Sequence, residues 1–208
     1  MESLSILPEL KNLRVLGTKT TDEGMIYVGQ VKTLRTLNIS YSGVTDAGLA
    51  HLAELSRLGE FDFSRTPITG TGLVHLSNAR GLKEMRGSDG VTDEGLRNIA
   101  AFQNLEEFVF EDGPRVNDEA LRHLTGLSKL RKLSIHGIGD EGLIHIGKIS
   151  SLEHLDVYLS HVTDKGLQHL TGFRKLKFLA AGETKVTKAG IADLQSRMPN
   201  LTHVDLGS

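Results

Sequence analysis

The chain has no cysteine and no tryptophan among its 208 residues, only four prolines, and aromatic residues at 5%. Without cysteine there are no disulfides, no zinc–thiolate sites and no cysteine nucleophile. Extracellular repeat proteins of this size often pin their ends with disulfides, so this absence points to the cytoplasm. A secreted bacterial protein and a domain cut from a longer chain are the alternatives. An excess of one charge is also missing: 24 Lys and Arg stand against 26 Asp and Glu, a net charge of −2, with both signs scattered along the chain. Nucleic acid and anionic membrane therefore have no electrostatic case as partners. No apolar run approaches the ~20 residues of a membrane span, and the first residues carry no apolar core of the signal-peptide kind. The chain as given reads as soluble.

What the chain has instead is repetition. Val162-Thr163-Asp164-Lys165-Gly166-Leu167 recurs at Val44–Leu49, Ile68–Leu73 and Val91–Leu96, with looser copies starting at Thr20, Val116, Ile138 and Val186. A motif returning about every 24 residues is the mark of a solenoid, whose core lengthens with each unit instead of closing around a centre. The leucines taken to open the units are Leu13, Leu34, Leu58, Leu82, Leu105, Leu130, Leu152, Leu176 and Leu201. Apolar residues return at anchor +3 and usually +5, as in Leu34-Leu37-Ile39 and Leu105-Phe108-Phe110. That is period two, so each unit carries a short strand with alternate side chains turned inward. Thr18 and Gly87 leave the inner face thin at +5.

The repeated motif then reads as a helix start. Thr21, Thr45, Thr69, Thr92, Asn117, Gly139, Thr163 and Thr187 are residue types that favour an N-cap. The following position is Asp in six of eight units, which places negative charge at the positive end of the helix dipole. Two residues later comes Gly in every unit but one, where Ala120 replaces it. Glycine inside a helix costs up to ~1 kcal/mol, so its recurrence implies close approach to a neighbouring unit. Leucine-type residues three apart, such as Leu167 and Leu170, give the helix one inward stripe.

Counted from anchor to Asp position, the spacing runs 9, 12, 12, 11, 13, 10, 12, 12, whereas the remaining part of each unit is nearly constant. The strand-to-helix loops should therefore form an irregular rim, protruding at Asp112-Gly113-Pro114. This register divides a single domain into a half-repeat over 1–12, eight repeats over 13–200 and a last strand over 201–208. An uncovered last strand invites pairing with another chain. We therefore expect either a fragment of a longer protein or one that meets a partner at its end.

The Leu-x-x-Leu-x-Leu strand pattern together with Val/Ile-Thr-Asp-x-Gly-Leu resembles the leucine-rich repeat. Among its subclasses the chain is similar to the repeats of F-box/leucine-rich-repeat ubiquitin-ligase adaptors and of many bacterial repeat proteins. The resemblance implies a right-handed α/β solenoid, with parallel strands on the concave face and short helices on the convex face. Two features depart from it. The usual Asn or Cys at anchor +8 is replaced by Ser42, Thr66, Ser160 or Thr184, and no F-box-like segment is present. The 24-residue period and missing cysteine fit a bacterial origin.

Binding in this class usually uses exposed strand positions at anchor +2, +4 and +6. There, Glu60, Glu84 and Glu107 should stand side by side, joined by Asp62, Glu111 and Asp112 and relieved by Arg65 and Arg86. A cationic partner, a solvated polar face, or a divalent ion held by the carboxylates would each suit this cluster. Val109, His136, His154, Tyr158, Leu159 and Phe178 form a second, apolar and aromatic patch. The residues assigned to binding are thus Glu60, Asp62, Glu84, Arg86, Glu107, Glu111, His136, His154, Tyr158 and Phe178. His51, His75, His123, His145 and His169 recur at one helix position and should face solvent too far apart to share a metal. A Glu111–His136–Tyr158 line could in principle move protons, but an open sheet offers no water-excluded pocket and no nucleophile elbow appears. The expectation is a protein- or peptide-binding scaffold without enzymatic activity or cofactor, monomeric or dimerised end to end. A structural or assembly module acting through its ends is the competing reading. So is the recognition part of a larger protein, such as a ubiquitin-ligase adaptor or bacterial effector.

Overall fold

A computed structural model describes residues 9–110 and 117–207. Its strands are β1 (Asn12–Arg14), β2 (Thr36–Asn38), β3 (Glu60–Asp62), β4 (Glu84–Gly87), β5 (Glu107–Phe110), β6 (Lys132–Ser134), β7 (His154–Asp156), β8 (Phe178–Ala180) and β9 (His203–Asp205). They lie in one sheet in sequence order, every neighbouring pair parallel, and a short helical segment follows each of the first eight. This is the solenoid implied by the repeat, with strands on the concave side and helices on the convex side. No helix among the described residues is long and apolar enough to cross a membrane.

The register corrects the first unit. Leu13 pairs with Leu37, and Val15 donates its amide to the Asn38 carbonyl, so Leu13 is the +3 residue and the anchor is Leu10. The first unit thus begins at 10, not 13, and its anchor-to-Asp spacing becomes the common 12. Val15 fills +5 and is buried, while Thr18 moves to +8. There its hydroxyl donates to the Val15 carbonyl at 2.7 Å, as Thr66 does to Phe63 and Thr184 to Ala181. Threonines at +8 therefore close the loop within their own unit, whereas Ser160 accepts from the Ile138 amide of the preceding unit at 3.3 Å. The other thin position, Gly87, is compensated from both sides: a Cβ there would sit 3.4 Å from Phe110 and 3.5 Å from Phe63. Those phenyl rings, packed against Phe108 and Phe61, fill the space a side chain would take.

The repeated motif joins units as well as starting helices. Asp46 accepts from the Thr69 amide (2.8 Å), the Thr69 hydroxyl (2.7 Å) and the Gly72 amide (2.7 Å), all in the next unit. Asp22 holds Thr45, Asp140 holds Thr163 and Asp164 holds Thr187 in the same way. Asp118 accepts from Gly139, and Asp93 reaches Asn117. The helix dipole is thus the smaller part of the role of these carboxylates. Each caps its neighbour, and the glycine two residues after the Asp position gives the room, because a Cβ at Gly72, Gly166 or Gly190 would collide with the preceding aspartate.

One junction lacks the staple. Gly70 occupies the Asp position of the third unit with φ +88°, and it, not Thr69, is the N-cap of Thr71–Leu76. Thr92 there donates to the Thr69 carbonyl instead of to a carboxylate. At anchor +7 the chain leaves the sheet through left-handed backbone, at Gly17, Tyr41, Arg65, Gly137, Leu159 and Glu183. Four of these six are not glycine. Asp112-Gly113-Pro114, expected to protrude, lies outside the described residues, as does Glu111.

Candidate functional site: the concave sheet

Parallel pairing in register sets the side chains of each row beside one another across the sheet. The +2 row reads Asn12, Thr36, Glu60, Glu84, Glu107, Lys132, His154, Phe178, His203. Asn12 and Arg14 occupy the first +2 and +4 positions, where the shifted register had put Val15 and Gly17.

Glu60, Glu84 and Glu107 stand on three consecutive strands. Burial, followed by the charges of Glu107 and Glu60, holds the Glu84 carboxyl above its ordinary range even though Arg86 and Lys132 oppose the shift. Glu107 is relieved by Lys132 at 3.6 Å, and Glu60 accepts from the Thr36 hydroxyl at 3.2 Å. The Arg65 guanidinium lies 5.7 Å from the centre of the Tyr41 ring on the rim. The +1 row beside it behaves differently. Lys83, Glu106, Arg131, Glu153 and Lys177 alternate in sign over five strands, with ion pairs at 2.7 Å (Lys83–Glu106), 2.8 Å (Arg131–Glu153) and 2.9 Å (Lys177–Glu153). Hydrogen bonds from Lys177 and Arg131 bring the Glu153 carboxyl down to about 2. One row is neutralised strand by strand while its neighbour stacks three like charges.

The +4 row is partly occupied with ending the strands. Asp62 accepts from the Ser64 amide and hydroxyl (3.0 and 2.7 Å) and from Asn38 (2.8 Å). Asp156 accepts from the Tyr158 amide at 2.9 Å and the Ser134 hydroxyl at 3.0 Å, with His136 at 3.8 Å. Burial alone would raise the Asp156 carboxyl, but hydrogen bonds from His136, Tyr158 and Ser134 outweigh it and hold it below its ordinary range. Asp62 and Asp156 therefore have less capacity for a ligand than Glu84 or Arg86.

Besides a shallow depression of about 270 Å³ lined by Glu106, Glu107, Arg131, Lys132 and His154, two more open on this face. The first, about 200 Å³, is lined by Arg14, Glu60, Asp62, Glu84 and Arg86 among others. The second, about 250 Å³, has Leu133 and Leu155 with Val109 and Phe178 as apolar lining, and Arg86, Lys132 and His154 around it. The His154 and Phe178 rings lie 5.9 Å apart, and those of His136 and Tyr158 meet edge-on at 6.0 Å. Leu159 does not tuck into its loop: it is 56% exposed, on left-handed backbone. Nine of the ten assigned residues thus lie on or beside the concave sheet, and Glu111 lies outside the described residues. Lys132 and Arg14 were missed. Lys132 stands beside Glu107 in the +2 row read from the sequence but was not assigned to binding, and Arg14 needed the Leu10 anchor.

The convex histidines divide. His51, His75 and His169 are exposed, but the His145 side chain is only 14% exposed, with Nε2 3.1 Å from Glu119 and a buried Nδ1 without a hydrogen-bond partner among the described residues. The expectation of a uniformly solvent-facing row fails there, because the neighbouring Asp118–Gly126 segment packs over the ring. His123, also half-buried, is held below its ordinary value by burial, then by Arg122 and Arg97. No group of three or more His, Cys, Asp or Glu is placed to hold a metal among the described residues.

Residues 32–53 match a family model described as a leucine-rich repeat. In fold the chain is similar to internalin C2 from Listeria monocytogenes, with a TM-score of 0.72 and 22% identity over 98% of this chain and 84% of that one. By fold, the chain is a leucine-rich-repeat solenoid. A Bacteroides fragilis protein is similar as well, with a TM-score of 0.65 and 18% identity over 97% of this chain and 66% of that one. No curated protein matches by sequence. On this chain the open sheet carries the stacked glutamates and the depressions.

Proposed function

We propose that the concave sheet binds a protein or peptide, with Glu60, Glu84 and Glu107 receiving cationic groups and the Val109–Phe178 depression receiving an apolar one. The observation that carries this reading is the contrast between rows. From β4 to β8 the +1 row alternates charge across adjacent strands, although Lys11 and Arg35 stand together at its start. On the +2 row it sets like charges side by side, an arrangement that destabilises a sheet, and leaves Glu84 poorly compensated. A row that only had to stay solvated would gain from the same alternation. Exposed Tyr41 and Leu159 on the adjoining rim add large apolar side chains beside this face. Reversing Glu60, Glu84 and Glu107 to Lys should abolish capture of the wild-type protein's partner while leaving the far-ultraviolet spectrum unchanged. Undiminished capture by that variant would overturn the proposal.

A further inference from the structure

Resting on the concave-face reading, we infer that the partner segment is an extended peptide lying across the strands, with a basic residue and a bulky apolar residue four positions apart. Two observations, with the strand spacing, carry this. The Glu60–Glu84–Glu107 row centres on β4 and faces outward. The apolar depression is centred between β6 and β7, with Val109 on one side and Phe178 on the other. Adjacent strands lie ~4.8 Å apart, so the two centres are separated by two and a half strand steps, ~12 Å. An extended peptide advances ~3.3 Å per residue, and side chains two or four apart share one face. In an extended peptide a separation of four residues, ~13 Å, spans this gap and turns both side chains to the sheet. A separation of two falls short at ~7 Å, and one of six, ~20 Å, lands on Phe178 at the far wall of the depression and not at its centre.

The chemistry at each end sets the residue types. Glu84 is the least compensated carboxylate of its row and is flanked by two more, so a Lys or Arg placed over it relieves repulsion from both sides. The depression of about 250 Å³ accommodates a Phe, Leu or Ile side chain against Phe178, Val109 and the His154 ring. Lys132 stands between the two points, already paired with Glu107, and disfavours a second basic residue midway. An acidic residue placed there would be accepted by Lys132 and Arg86.

Selection of random dodecapeptides on the full chain tests this. The expected result is enrichment of peptides with Lys or Arg four positions from Phe, Leu or Ile, lost separately on Glu84→Lys and on Phe178→Ala. In an enriched peptide, moving the basic residue from four to seven positions away, or replacing it with Glu, should weaken binding to wild type at least about tenfold, because the second contact is no longer reachable. The peptide changes need no protein variant, so misfolding does not enter. Enriched peptides that require Phe178 but carry no basic residue at that spacing would overturn this inference and leave the concave-face reading standing. Peptides that bind wild type and both variants equally, or no enrichment at all, would overturn both.

Discussion

Replacing Asp46 with Ala removes a carboxylate that accepts three hydrogen bonds from the next unit, at 2.8, 2.7 and 2.7 Å. A hydrogen bond to a charged group contributes ~1.5–3 kcal/mol, but three on one carboxylate do not add, and water reaches this half-buried site. We expect a loss of ~2–4 kcal/mol, with Asn in its place costing about half as much because one acceptor oxygen remains. Asp93, whose bonds to Asn117 are 3.4 and 2.8 Å and exposed, should cost ~1 kcal/mol on the same substitution. Urea denaturation followed by circular dichroism gives both values. The pH dependence supplies a sign. Burial pushes the Asp46 carboxyl up, but bonds from Gly72 and Thr69 outweigh it and leave it below its ordinary 3.8. Its stabilisation is therefore complete above the unfolded value and is lost as pH falls through the lower folded value. Wild type should lose more stability than Asp46→Ala on acidification through that window. A loss below about 1 kcal/mol for Asp46→Ala, or equal effects at Asp46 and Asp93, would refute the staple.

Three further outcomes follow from the same geometry. Glu84 titrates in the opposite sense: its folded value lies above the ordinary 4.5, so its penalty is full above the folded value and disappears as pH falls through 4.5. The stability difference between Glu84→Gln and wild type should accordingly shrink on acidification, as read by chemical denaturation at a series of pH values. Gly72→Ala forces a Cβ into the Asp46 backbone and should cost ~1–3 kcal/mol, whereas Gly172→Ala, with open space around it, should stay within about 1 kcal/mol of wild type in the same denaturation assay. Leu159→Gly relieves left-handed backbone and should raise the melting temperature, while weakening any peptide that reaches the rim.

Strand positions and inward rows were legible because period two imposes itself wherever one face is buried, and Leu37, Phe61, Phe108 and Leu155 all sit where the pattern put them. The first unit was misread because Leu10, Leu13 and Leu16 recur every three residues, so more than one register satisfied the local pattern. Requiring the 12-residue spacing of other units would have chosen Leu10. The role of the aspartates was hidden for another reason. Their partners lie 21 to 26 residues ahead, in the next unit, and a local reading sees only the helix start. Repulsion along the glutamate row was visible once strands were aligned, but the alternating row beside it gives that repulsion its meaning. Left-handed Tyr41 and Leu159 left no trace in the sequence, since residue type there argues against the conformation they adopt.

The central claim is that the glutamate row is kept for recognition at the expense of the fold. Its most direct test is the unfolding free energy at pH 7 of the triple variant Glu60→Gln, Glu84→Gln, Glu107→Gln beside wild type. Removing two adjacent like-charge contacts, less the Glu107–Lys132 pair, should make the variant more stable by ~0.5–1.5 kcal/mol. A variant less stable than wild type would mean that the carboxylates serve the fold, and would contradict the account.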